Sequence, residues 1–433
     1  MSVSIVAILG FMLLFVLMAI RMPVSFAMII AGFLGSAYMI STDASIYMLA
    51  TNVWGQLSSY GLSVIPLFVF MGQLAYHSGM TERLYDAAYK WVGRLPGGLA
   101  GTTILASAGF AAICGSNSAT SATMGTIALP EMRKYNYDQA LSTGSVAIGG
   151  TLGVVIPPSV VLIIIAVQTE QSITHLFLAC IVPGIFLTVL FLATVSIMCL
   201  RNTNLGTPGP RVAMRDMLLS LTGAFEAVVL FLLVIGGLYA GWFTPTEAGA
   251  AGSFGAFLIG ISRKKLSKKE FVNSISETIR ISAMVVLLIT GAVIFGRFLT
   301  VTRLPFELAD WVSSLNVPRE VILIVVMLIY LVGGCVMDAL GFLVVTIPIF
   351  YPLANALGFD PVWYTVVITL VTTMGAVTPP VGVNVYIVSG LSPDVPISTI
   401  FRGVSIFLIA YVICLALLMV FPEMALYLPR VLM

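Results

Sequence analysis

Few side chains in this chain could do chemistry, and they stand where polar groups are costly. Ser116-Asn117-Ser118 follow Gly115 inside the apolar stretch 98–130. Asp338 lies in GCVMDALG and Arg297 follows Ile294-Phe295-Gly296. Pro157-Pro158 and Pro379-Pro380 interrupt two further oily runs. A charged side chain at the centre of a span costs about 2.5–3.5 kcal/mol on insertion scales, so it marks a pathway, a pair or a site. A helix broken by proline frees backbone carbonyls, which are hard oxygen ligands suited to Na⁺. The N-termini of half-helices turn partial positive charge toward an anion. This is the chemistry of holding ions. No HExxH, GxSxG or GxGD pattern offers a nucleophile, a base or a catalytic metal, so no enzyme is expected.

The motifs come in pairs. Adding 222 carries Ser116 onto Asp338 and Pro157-Pro158 onto Pro379-Pro380. Seven prolines precede residue 200, and five of them meet a proline at that offset, far above chance at about 5% proline. Asp138 meets Asp360, Thr151 meets Thr373 and Gly153 meets Gly375. Internal duplication of this kind is a common transporter architecture. One cation site per repeat follows. The first would use Ser116, Asn117 and the carbonyls of Gly150, Gly153 and Pro157. The second would use Asp338 with Gly375 and the Thr378 hydroxyl. An anionic cargo would meet Ser116, Ser118, Ser159, Arg297 and Asp338, with Arg303 as a fallback for Arg297, because a guanidinium forks onto a carboxylate. Each has a plainer reading: helix capping for the serines, a structural ion pair for Asp338, snorkelling for Arg297. Glu226 and Glu247 lie outside these units and are expected in helix packing or partner contacts.

The elements that must position these residues are membrane spans. The chain is 59% hydrophobic and 9% charged, with mean hydropathy +1.09. A soluble protein carries about 25% charged residues, so this is an all-α polytopic membrane protein. The formal charge of +2 gives no reason to expect nucleic acid. The five cysteines lie in apolar segments without CxxC spacing and read as small buried hydrophobes. The apolar run 3–20 has neither a basic n-region nor a cleavage site, and reads as a first span. Residues 1–200 form one repeat, with a re-entrant hairpin at 98–130 and a broken helix at 139–167. Residues 201–216 are a polar linker. Residues 217–433 form the second repeat, with a hairpin at 321–352, a broken helix at 362–388, a basic loop before a span at 281–299 and a closing span at 400–421. Five crossings per repeat make the two inverted. Tracing that path puts sixteen of the twenty Lys and Arg on one face, which the positive-inside rule makes cytoplasmic, with both termini periplasmic.

GSNSATSATMGTIALPEM, GVVIPPS, MDALGFLVVTIPIFYPL and GAVTPPVGVNVYIVSG resemble the large membrane subunit of TRAP transporters, the tripartite ATP-independent periplasmic family (DctM-like), over nearly the whole chain. The resemblance implies a sodium-driven, elevator-type secondary transporter of the bacterial inner membrane; motifs shared across the family do not name the cargo. It implies a periplasmic substrate-binding protein and a small four-helix membrane subunit. The chain opens directly on the large-subunit pattern, so the small subunit is expected as another polypeptide. The family's cargoes are organic acids, with a sialic acid-type acid favoured here and a C4-dicarboxylate next. A self-sufficient anion transporter of similar fold and an ion channel are the alternatives.

Overall fold

Polar caps restart the chain wherever its helices are interrupted. Ser116, Asp138, Ser159, Asp338 and Asp360 each accept a hydrogen bond from a backbone N–H in the turn that follows. The computed structural model describes residues 3–210, 212–314 and 317–432; Arg211, in the linker, lies outside them. The described residues form helices and turns, without a strand. In the first half, α1 (Val3–Ala19), α2 (Val24–Met39), α3 (Thr42–Leu57) and α4 (Val64–His77) precede a surface helix, α5 (Met80–Val92). The hairpin α6 (Gly98–Cys114) and α7 (Asn117–Lys134) follows, then the broken helix α8 (Gln139–Val155) and α9 (Val160–Thr169), and a closing helix α10 (Ile173–Arg201).

The second half opens with α11 (Met214–Phe231), which passes through a π turn into α12 (Gly237–Tyr239). Next come α13 (Pro245–Ser262), α14 (Lys268–Val301) and the surface helix α15 (Leu304–Ser314). The hairpin is α16 (Arg319–Val336) and α17 (Ala339–Ala356), and the broken helix is α18 (Pro361–Gly375) and α19 (Val383–Leu391). α20 (Ile397–Ser405), α21 (Phe407–Val420) and α22 (Glu423–Leu432) close the chain. α7 and α17 start at 117 and 339 and end at 134 and 356, so both ends recur at the offset of 222.

The packing is reciprocal, as two inverted-topology repeats related by a pseudo-two-fold require. α9 packs on α17 and α19 packs on α7, so each broken helix reaches the other repeat's hairpin. α2 packs along α14 and α4 along α13, so the arms are crossed as well. The buried Tyr411 hydroxyl lies beside both Thr151 and Thr373, two positions 222 apart on α8 and α18. Six helices are long and apolar enough to cross a membrane alone. Two bent pairs, α3 with α4 (50°) and α20 with α21 (40°), raise that to eight among the described residues.

Three features differ from the expected path. Residues 268–280 are helix, not basic loop, because Ser267 and Glu270 form a reciprocal capping box that starts α14 early. The closing span expected at 400–421 is bent between α20 and α21. α22 is an additional amphipathic helix. Glu226 is a packing residue: it joins Arg83 of α5 (2.5 Å) and Arg263 after α13 (2.5 Å). Glu247 forms a capping box with Thr244 at the start of α13.

Candidate functional site

The two hairpin tips meet. Gly115, held at φ 66° as the left-handed end of α6, turns the chain into Ser116, whose hydroxyl accepts from the Ala119 N–H at 3.4 Å and starts α7. In the second repeat Asp338 does the same for α17, accepting from the Leu340 N–H at 3.2 Å. Both tips line a single cavity of about 490 Å³, which α4, α14 and the first residues of α2 also line. The first turns of α7, α9 and α17 and the first residue of α19 all line it. Four helix N-termini, two from each repeat, therefore converge on one space, and each carries roughly half a positive charge. The Asp338 carboxylate lies deep in the protein but is open to that space.

Asn117 is the sharpest feature of the first tip. It is 4% exposed, lines the cavity, and neither its amide oxygen nor its amide nitrogen has a partner among the described residues. A buried amide left unpaired is costly, so it marks a place where something else binds. Behind it, Gly153 brings α8 against the tip so closely that a Cβ there would strike the Ser116 carbonyl and crowd the Thr120 hydroxyl at 2.8 Å. Gly150 does likewise against the Ser121 hydroxyl, which is buried and has no partner among the described residues. Pro157 is buried beside this junction, and the Val160 N–H donates to the Gly115 carbonyl at 3.3 Å, latching broken helix to hairpin. The structure thus brings Ser116, Asn117, Gly150 and Gly153 together as a group of hard oxygens and close-packed backbone.

The second group is looser. A Cβ on Gly375 would lie 2.6 Å from the Leu331 carbonyl oxygen and 2.7 Å from Gly334, so α18 meets α16 as α8 meets the first hairpin. The Gly382 N–H donates to the Cys335 carbonyl at 2.9 Å, the counterpart of the first latch. The Thr378 hydroxyl donates to the Met374 carbonyl at 2.7 Å, which leaves its oxygen free to accept. Gly375 and Thr378 do not line the cavity, whereas Asp338 does.

Among the expected substrate residues, Ser116, Ser118 and Asp338 line the cavity and Ser159 and Arg297 do not. Ser159 is fully buried and caps α9 by accepting from the Leu162 N–H at 3.4 Å. Arg297 is exposed on α14. Leu288, which lines the cavity, is nine residues earlier, and at about 100° per residue that is half a turn out of phase. Ile294, Phe295 and Phe298 face the core instead. Arg303 is exposed in the turn before α15 and is also absent from the lining. Two lining residues with hydrogen-bonding side chains escaped the sequence reading, Gln73 and Ser25. Gln73 had a signal, a lone amide in the run FVFMGQLAY.

The family described as "Tripartite ATP-independent periplasmic transporter, DctM component" matches residues 11–424. The chain belongs to the DctM family. It is 33% identical over 387 residues to a C4-dicarboxylate TRAP transporter large permease protein, DctM, of Pseudomonas aeruginosa, covering 89% of this chain and 90% of that one. It is 33% identical over 411 residues to a sialic acid TRAP transporter large permease protein, SiaM, of Vibrio cholerae, covering 94% and 95%. It is 34% identical over 340 residues to an isethionate TRAP transporter permease protein, DctMQ, of Oleidesulfovibrio alaskensis, covering 78% and 53%. Three cargo names at nearly equal identity leave the cargo of this DctM component to its own cavity. In fold it is similar to the YdaH transporter of Alcanivorax borkumensis, with a TM-score of 0.61 at 16% identity over 88% of this chain and 90% of that one. Its relatives are transporter permeases, and it is a transporter subunit, not an enzyme.

Proposed function

We propose that this DctM component is the permease of a sodium-coupled secondary transporter of the bacterial inner membrane, taking up an organic acid handed over by a periplasmic binding protein. A small membrane subunit completes the assembly. The observation that carries the reading is the convergence of four helix N-termini and the unpartnered Asn117 amide on one cavity. Such a site suits a carboxylate without a basic side chain. The anion role expected of Arg297 falls to those helix ends, because α14 turns the guanidinium away. Sodium would take the hard oxygens behind the tips: the Ser116 hydroxyl, the Asn117 amide oxygen and the Ser121 hydroxyl on one side, the Thr378 hydroxyl and Gly375 carbonyl on the other. Binding there would stiffen each hairpin against its broken helix and so shape the cargo site. Hairpins and broken helices would then move as a unit past the crossed arms, in the manner of an elevator, with both termini periplasmic.

The test is uptake in proteoliposomes with the binding protein and small subunit supplied. Uptake should require an inward Na⁺ gradient, and each net positive charge carried should gain about 2.3 kcal/mol per 100 mV of inside-negative potential. Equal uptake in sodium-free potassium buffer would refute coupling. Full uptake of free substrate without the binding protein would favour a self-sufficient transporter.

A further inference from the structure

We propose that the cargo is a monocarboxylate whose body is apolar, such as a branched or aryl-substituted 2-oxo acid. This rests on the organic-acid reading above and narrows it.

Volume does not choose, because about 490 Å³ admits many small acids. The chemistry of the wall does. Away from the tips the cavity is bounded by Val69, Val154, Val161, Val285 and Leu288. Its polar side chains are Ser25, Gln73, the Ser116–Ser118 group and Asp338, and among the described residues no Arg, Lys or His lines it. One carboxylate is well served: the first turns of α7 and α9 are capped by neutral serine hydroxyls, α19 has no side-chain cap, and Asn117 adds an amide. A second carboxylate is not. The fourth helix end already faces the Asp338 carboxylate, which caps it and repels another anion. A dicarboxylate would therefore leave one charge with neither a basic side chain nor a free helix end.

A polyhydroxylated acid meets the opposite difficulty. Each hydroxyl turned toward valine or leucine gives up its water without a partner. Gln73 and Ser25 are too few to serve a sugar-like body; they suit one further polar atom, such as a 2-oxo group. The sialic acid-type cargo expected from the sequence thus fits this wall poorly, and an alkyl or aryl body fits it well.

The probes are 4-methyl-2-oxopentanoate, succinate and N-acetylneuraminate, each added to the purified full chain at matched sodium and ionic strength, with chloride as control. The readout is the shift in thermal unfolding midpoint. The branched oxo acid should raise the midpoint in a sodium-dependent way, and the other two should give at most a third of that shift. Val69→Thr keeps the shape of the wall but adds a hydroxyl, and should weaken the apparent affinity for the branched acid about three- to tenfold. A larger shift from succinate or N-acetylneuraminate would overturn this inference and leave the organic-acid reading standing. Unchanged affinity in a folded Val69→Thr variant would also overturn it. A chain that responds to none of the three anions would also overturn this inference, while the organic-acid reading stands or falls on uptake with the binding protein supplied.

Discussion

The two repeats share a plan but differ at their tips. The first tip is neutral: Ser116 and Ser118 flank a buried, unpartnered Asn117, and the diproline behind it is buried. The second tip presents a carboxylate, Asp338, to the cavity, and its diproline is exposed. The arms differ in the same spirit. α3 and α4 bend by 50° where α14 runs unbroken for 34 residues, and α10 runs for 29 where α20 and α21 bend by 40°. Duplication supplies two equivalent hairpins. Substitution at one position, Ser116 against Asp338, then lets one hold charge while the other offers only dipoles. The pair teaches that similar backbone geometry can serve unlike partners when only the cap is changed.

That comparison can be broken in stages. The largest effect is expected from Gly153→Val, which drives a side chain into the Ser116 carbonyl and separates α8 from its hairpin. Sodium-driven uptake should fall about a hundredfold, the scale of a misplacement of about 1 Å at a functional site. Uptake within threefold of the parent, at matched protein levels, would show that the close approach is not needed.

Next in size is the contrast between the tips. Asp338→Asn should cut maximal uptake about tenfold or more at saturating sodium, because charge is lost while shape is kept. Asn117→Ala should instead raise the half-saturating sodium concentration several-fold and change the substrate requirement less. If both variants gave the same kinetic signature, the division of labour between repeats would be wrong.

A smaller effect should come from Glu226→Gln, which weakens the ion pairs from one repeat's Arg83 and the other's Arg263. Glu226 is 11% exposed but its partners are 23% and 49% exposed, so screening limits the loss to about 1–2 kcal/mol. A midpoint lowered by a few degrees, with sodium dependence retained, is the expected result. The smallest effect is that of Arg297→Ala. Uptake should stay within twofold, since the guanidinium lies outside the cavity lining. A tenfold loss would return Arg297 to the site, reached in another conformation of the transport cycle.

Much of this architecture was legible in the sequence because breaks in apolar runs are local signals. Ser116, Asp338 and the two diprolines announce themselves by type and by the shared offset of 222. What was not legible depends on helical phase and on distant neighbours. Arg297 reads as intramembrane, but only the long register of α14, begun at the Ser267–Glu270 box, shows which way it turns. Gln73 is visible as a polar residue, yet nothing local says that it faces the same space as Asp338, more than 260 positions later (338 − 73 = 265). Tyr411 between Thr151 and Thr373 is a tertiary fact with no sequence signature.

The crossed arms also set a schedule for making the chain. α4 ends at residue 77 and its partner α13 begins at 245, so 168 residues (245 − 77) must be added before they can meet. At about 5–20 residues per second, translation alone imposes a wait of roughly ten to thirty seconds. During that interval the faces of α2 and α4 destined for α14 and α13 have only lipid or an insertion factor to lie against. A ribosome that stalls in the linker leaves a half-protein whose exposed faces no later helix will cover.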